Sequence, residues 1–167
     1  MEQMSLKQML YADSVKRWHL VDTSRNQTVA EHSFNVCLIS QRILQILEID
    51  HESWISGRTM LYALHHDIPE VIIGDIPTPT KRLLNIDDLE LAVALDPDSV
   101  TNIILVKEIV KIADLMDCVF FLKRYGVGDK AKKVCDCIID DVKYLLSSSS
   151  FGVSKCVVDF VIDFIGE

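Results

Sequence analysis

Two imidazoles and two carboxylates interrupt an otherwise apolar stretch in the run Ala63-Leu64-His65-His66-Asp67-Ile68-Pro69-Glu70. Residues three and four apart share a helix face, so a helix continued up to Pro69 sets Glu70 one turn beyond His66 and Asp67. An imidazole and two carboxylates aimed into one space are costly to bury unless something compensates them, and a divalent cation is the most economical compensator. The plainer reading of Glu70 is an exposed acid after a helix-ending proline, and that of His65 is a surface or supporting histidine.

Other stretches offer groups of the same kind. Thr28-Val29-Ala30-Glu31 has the form of a capping box, in which Thr28 caps the open amides and Glu31 reaches back. It starts a helix over 29–47 whose apolar positions Val36, Ile39, Ile43 and Ile46 keep the helical period, with His32 on the same inward stripe. Downstream, Ile103, Ile104, Leu105, Val110, Ile112, Leu115, Val119 and Phe120 spread over most of a helix at 100–125, which predicts a central, buried element. Asp114 and Asp117 lie on its apolar side, where acids need partners. Asp117 is read as half of a buried ion pair outside the site. His32, His66, Asp67 and Asp114 then form a mixed nitrogen and oxygen set suited to zinc, cobalt, manganese or iron, with magnesium also open. Four protein ligands leave room for water, whose pKa falls to roughly 7 on a zinc-like ion, and phosphate is a suitable electrophile for it.

The elements that must position these groups read as helices throughout. A short helix is expected over 5–11, and one over 53–68 with Trp54, Leu61, Leu64 and Ile68 toward the core. A stiff connection through Pro77 and Pro79 follows, then a short helix within 83–95 that ends before Pro97, with Asp98-Ser99 able to cap the next. Gly126 and Gly128 end the long helix, a further one spans 129–146, the serines at 147–150 form a linker, and 153–165 is a last amphipathic helix. Its Val157, Val158, Phe160, Val161, Phe164 and Ile165 either close the core or pack against a second copy. A chain of 167 residues, 49% hydrophobic and 25% charged, predicts a single globular domain spanning 1–167. No apolar run is long enough to span a membrane, and the start Met1-Glu2-Gln3-Met4-Ser5 does not resemble a signal peptide, so a cytoplasmic protein is expected. Five cysteines at irregular spacings fit reduced thiols. A net charge of -8 argues against binding a nucleic-acid duplex, while a small anion held by local cations and a metal remains open.

With His32, His66-Asp67 and Asp114 in place, the chain resembles the HD-domain phosphohydrolases, an all-α superfamily with a helical bundle and a metal site between its central helices. Arg17-Trp18, Ala30-Glu31-His32-Ser33, His66-Asp67-x-x-Glu70 and Gly74-Asp75-Ile76-Pro77-Thr78-Pro79-Thr80-Lys81 resemble the bacterial 5'-deoxynucleotidases of that superfamily. In length, the chain is more similar to the phage-encoded dATP triphosphohydrolases. The resemblance implies that His32, His66, Asp67 and Asp114 carry the metal, that Glu70 orients or deprotonates the attacking water, and that Asp75 supports the catalytic step near the leaving oxygen. It further implies that Arg17 and Lys81 hold phosphate, and that Trp18, Leu20 and Pro77 line the nucleoside, with Trp18 excluding a 2'-hydroxyl or stacking on the base. The implied function is metal-dependent hydrolysis of a deoxynucleotide, with dATP giving deoxynucleoside and triphosphate as the leading version. Additional ions would accompany a triphosphate, and the setting would be the host cytoplasm if the chain is phage-encoded. A 5'-deoxynucleotidase acting on monophosphates and a non-catalytic nucleotide-binding regulator are the alternatives, and the lack of a basic groove disfavours a nuclease. A homo-oligomer, dimer or hexamer, is also implied.

Overall fold

The structure, a computed structural model, describes residues 4–77, 80, 100–148 and 154–166. The expected helix within 83–95, the Asp98-Ser99 cap, Pro79 and Lys81 lie outside the described residues. Numbered over those residues, the helices are α1 (Leu6–Leu10), α2 (Val29–Ile46), α3 (Trp54–His65), α4 (Glu70–Ile73), α5 (Val100–Tyr125), α6 (Gly128–Ser148) and α7 (Lys155–Gly166), with a 3-10 turn at Tyr11–Asp13. Among the described residues there is no strand, only two isolated antiparallel bridges. The fold is all-α.

Helix α5 is the axis of the bundle, and α2, α3, α6 and α7 all pack on it. Val106, Ile109, Ile112, Ala113, Met116, Val119 and Phe121 are buried along it, which makes it the central, buried helix that the sequence predicts, although Ile104 and Phe120, also expected to be apolar contacts, are exposed. Helix α7 resolves its own ambiguity: Val157, Val161 and Ile165 are buried, and Val158, Phe160 and Phe164 pack against the same core, so this face closes the chain's own bundle.

Helix α3 departs from expectation in two ways. It ends at His65, and residues 66–69 continue as tight turns in which Ile68 N–H donates to the His65 carbonyl and Glu70 N–H to that of Asp67. Trp54, Leu61 and Leu64 face outward, and the buried side of the helix is Ser56, Thr59 and Ala63. Small residues there let α2 approach closely, which puts the packing stripe out of register with the large apolar side chains. Ile68, by contrast, is buried.

The segment before α2 is also held firmly. Arg17 N–H donates to the Gln27 carbonyl and Val29 N–H to the Val15 carbonyl, closing residues 18–27 into a loop. That loop is pinned to the end of α5, where Ser24 N–H donates to the Tyr125 carbonyl and Val127 N–H to that of Asp22. Gly126 is required at this junction, because a Cβ there would lie 2.5 Å from the Leu122 carbonyl oxygen. The Thr28 hydroxyl caps α2 by accepting from Glu31 N–H, but the Glu31 carboxylate pairs with Arg25 instead of reaching back, so the capping box is half made.

Candidate metal centre and nucleoside rim

Three elements converge beneath the loop: the first turn of α2, the turns after α3 and the middle of α5. His32 is fully buried, with Nε2 3.2 Å from Asp114 Oδ1 and 3.4 Å from Asp67 Oδ2, and His66 Nε2 lies 3.5 Å from that same Asp67 oxygen. Ligand atoms held roughly 2.0–2.2 Å from one cation at tetrahedral or octahedral angles are themselves about 3.0–3.5 Å apart, so these separations are those of a coordination shell. Ligating atoms of His32, His66 and Asp67 all lie within 4.8 Å of one another. Asp114 reaches the group through Oδ1, while its Oδ2 accepts from Lys111 Nζ at 3.0 Å.

The tautomers are fixed by what the other ring nitrogens touch. His66 Nδ1 lies 2.8 Å from the Ala63 carbonyl and His32 Nδ1 lies 2.6 Å from Asp117 Oδ2. Both partners are pure acceptors, so both Nδ1 atoms carry the proton and both Nε2 atoms present a lone pair. Those two Nε2 atoms are buried with no hydrogen-bond partner among the described residues. Buried, bare and aimed at one point beside two carboxylates, they fit a divalent cation.

Charge in the cluster runs the same way. Burial holds His66 below its usual imidazole range, which keeps it neutral. Burial would raise Asp67, but His66, His32 and Arg17 outweigh it, and Asp114 is carried well below the carboxylate range against its own burial by Lys111, His32 and His66. Both acids are ionised. For His32, burial and Arg17 press downward, yet the carboxylates of Asp114, Asp117 and Asp67 around it leave it raised when no cation competes.

Around this centre, Glu70 is only 4% exposed, so the reading of it as a surface acid is corrected. Gly74, at φ 78°, ends α4 and turns the chain into Asp75, which lies 3.6 Å from His19 Nδ1. Burial opposes the charge on Arg17, and the carboxylates of Asp67, Asp114 and Asp75 more than restore it. Arg17 Nη2 contacts Cys118 Sγ at 3.6 Å, whereas Nη1 is buried with no hydrogen-bond partner among the described residues, which leaves a donor for an anion. Trp18 adopts a left-handed φ of 67° and stacks nearly parallel on Phe121, with ring centroids 5.9 Å apart. Leu20 is exposed and Pro77 half-buried.

The sequence reading misplaced Asp117 and passed over Gln27. Asp117 accepts from His32 Nδ1, from Gln27 Nε2 at 2.7 Å and from Asn35 Nδ2 at 2.8 Å, so its place is behind a candidate ligand and not in a separate ion pair. The spacing Asp114-x-x-Asp117 on an apolar stripe was the available signal. His19 and Cys118 carried none.

Comparison with known proteins agrees with this geometry. Residues 5–88 match the family described as YfbR-like 5'-deoxynucleotidase. A dATP triphosphohydrolase of Acinetobacter phage SH-Ab 15497 is 35% identical over 145 residues, covering 75% of this chain and 70% of that protein. The chain belongs to the YfbR-like family. It is thus an enzyme, a phosphohydrolase of that family. A 5'-deoxynucleotidase of Enterobacter sp. (strain 638) is 34% identical over 68 residues, covering 40% of this chain and 34% of its own. Among solved structures, the cyanophage S-2L HD phosphohydrolase DatZ, bound to dA and one catalytic Zn2+ ion, superposes with a TM-score of 0.81 at 24% identity, covering 99% of both chains. At that identity the superposition shows the shared HD fold.

Proposed function

We propose that this YfbR-like enzyme hydrolyses deoxyribonucleoside triphosphates, dATP foremost, to deoxynucleoside and triphosphate, with a divalent cation held by His32, His66, Asp67 and Asp114. The observation that carries the reading is the pair of buried, bare Nε2 atoms set 3.2–3.5 Å from the two ionised carboxylates. The dATP triphosphohydrolases that cover most of this chain support the substrate, and the Zn2+ in DatZ supports zinc among the candidate cations. When bound, such a cation supplies an acidified water and neutralises phosphate oxygens.

The chain's own residues do the rest. Glu70, buried next to the cluster, takes the proton of the attacking water as oxygen bonds to the α-phosphorus. Cleavage of the bond from that phosphorus to O5' releases triphosphate, and Asp75 supports protonation of the departing oxygen. Arg17 directs its spare N–H at the phosphate, and Lys81 assists beyond the α position. Trp18, Leu20 and Pro77 hold the nucleoside, with Trp18 crowding a 2'-hydroxyl. A non-catalytic regulator would have no use for a buried Glu70 beside a metal. We place the enzyme in the cytoplasm as a homo-oligomer, a dimer or hexamer, for which the exposed Phe34 and Leu38, one turn apart on α2, offer apolar surface.

Hydrolysis of deoxynucleoside monophosphates is the second reading, favoured by the family match over residues 5–88. A chromatographic trace of products with metal supplied separates the two. Deoxyadenosine with intact triphosphate from dATP, and little turnover of ATP, is expected; deoxyadenosine and orthophosphate from dAMP with dATP untouched would establish the 5'-deoxynucleotidase instead.

A further inference from the structure

A continuous hydrogen-bonded path joins Trp18 to the candidate ligand His32, and it passes through Gln27 and Asp117. Trp18 Nε1–H donates to Gln27 Oε1 at 2.8 Å, Gln27 Nε2–H donates to Asp117 Oδ2 at 2.7 Å, and His32 Nδ1–H donates to that same Asp117 oxygen at 2.6 Å. The direction of every bond follows from chemistry. An indole nitrogen only donates and an ionised carboxylate only accepts, so the Gln27 amide has a single orientation that satisfies both neighbours. Gln27, Asp117 and His32 have no exposed surface, so none of these groups can turn to water instead.

We propose that Gln27 is a positioning residue that couples Trp18 to the metal ligand His32 through Asp117, so that metal occupancy and the posture of the nucleoside-facing ring are set together. Its amide does two tasks at once. It helps hold Trp18 in the left-handed backbone conformation that a bulky residue rarely adopts, and it fixes the carboxylate that keeps the His32 lone pair on the cation. Coupling of this kind is reciprocal: whatever a seated Trp18 adds to metal affinity, bound metal returns to the seating of Trp18. The inference rests on the proposed function for His32 as a metal ligand and for what Trp18 does to a nucleoside, but not on which nucleotide is hydrolysed.

The test therefore needs no nucleotide. The chain has two tryptophans, so Trp54→Phe, a change at the outer end of α3, leaves Trp18 as the only indole reporter. Zn2+ is a closed-shell d10 ion, so it probes the coupling through structure. Added to metal-stripped Trp54→Phe protein, it is expected to change the Trp18 emission. Gln27→Met in that background should abolish the change and weaken Zn2+ binding, measured by competition with a chelator, about tenfold, the lower end for loss of a group that orients a ligand. Gln27→Glu keeps the shape but sets a carboxylate against Asp117, and it should be as impaired. Val142→Ala, a cavity in α6 at a residue that is no part of the path, should lower the melting temperature and leave both readouts alone. Trp18→Phe, which keeps an aromatic ring facing Phe121 and loses the N–H with part of the ring area, should weaken Zn2+ binding a few-fold although it touches no ligand, and it remains decisive if the Gln27 variants do not fold. Zn2+ affinity within twofold of the parent in Gln27→Met or Trp18→Phe, or an equal loss in Val142→Ala, would overturn the coupling.

Discussion

His32, Asp117 and Gln27 have no exposed surface, whereas His19 and Leu20 of the proposed rim lie open, Leu20 with 52% of its surface accessible. The inner wall is assembled from the first turn of α2, with Gln27 just before it, and the middle of α5, where each side chain's rotamer is fixed by close neighbours. The rim is assembled from a loop clamped at its ends by backbone hydrogen bonds to α2 and α5 but free along its outer edge. A cation needs several ligand atoms within tenths of an ångström of their places, and only the core supplies that precision. Recognition of a nucleoside tolerates more, and a loop can change its contacts without disturbing the metal. Substitutions on the two sides should therefore differ in kind as well as in size.

The sharpest contrast is at Asp67. Asp67→Ala removes the carboxylate shared by both histidines, so transition metal and turnover should be lost together, to the limit of detection; Asp67→Ala protein that retains stoichiometric metal by elemental analysis and wild-type turnover would refute the inner wall as drawn. Glu70 lies beside that wall and is proposed to move a proton. Glu70→Ala should keep the metal and lower kcat by roughly a hundredfold or more, and unchanged turnover in a steady-state assay would return Glu70 to a structural role. On the rim, Leu20→Ala should raise KM for dATP a few-fold, the scale of about 1 kcal/mol of lost apolar contact, with kcat and metal content held. A fall in kcat without a rise in KM would mean that the rim is no more tolerant than the wall.

The same division governs what was legible in the sequence. Helices α2 and α5 are long and periodic, so His32 and Asp114 could be assigned inward before any coordinates. The end of α3 could not, because the turns at 66–69 use hydrogen bonds to the residue three back in place of the helical four and leave the sequence spacing of Asp67 and Glu70 unchanged. Trp54, Leu61 and Leu64 misled for a different reason: size was read as burial, while close approach to α2 selected Ser56, Thr59 and Ala63. Gln27 and Asp117 are 90 residues apart, and no local pattern announces a bond between them. Asp117 was visible as a buried acid, but a buried acid does not name its partner.

The smallest expected effect is thermal, and it turns on His32. In the metal-free protein its pKa is raised above the ordinary value of 6.5, so the folded state holds a proton that the unfolded chain releases, and that contribution to stability is full below pH 6.5 and lost as pH rises through the folded-state value. His66 moves the other way, but its opposing gain fades within about one pH unit above 6.5, as the unfolded imidazole also becomes neutral, and the two acids are ionised throughout that range. Between pH 6.5 and 8, then, the metal-free protein should lose stability through His32. The zinc-loaded protein should not, because a ligating Nε2 carries no proton to lose, and proton competition for that nitrogen weakens as pH rises. The gap between the melting temperatures of the loaded and stripped proteins should widen over this interval, at about 2–4 °C for each kcal/mol in a chain of this size. Differential scanning fluorimetry at fixed zinc reads it directly. A gap that stays flat or narrows from pH 6.5 to 8 would mean that His32 does not exchange its proton for the metal, and the inner wall would lose the nitrogen on which the comparison with the rim depends.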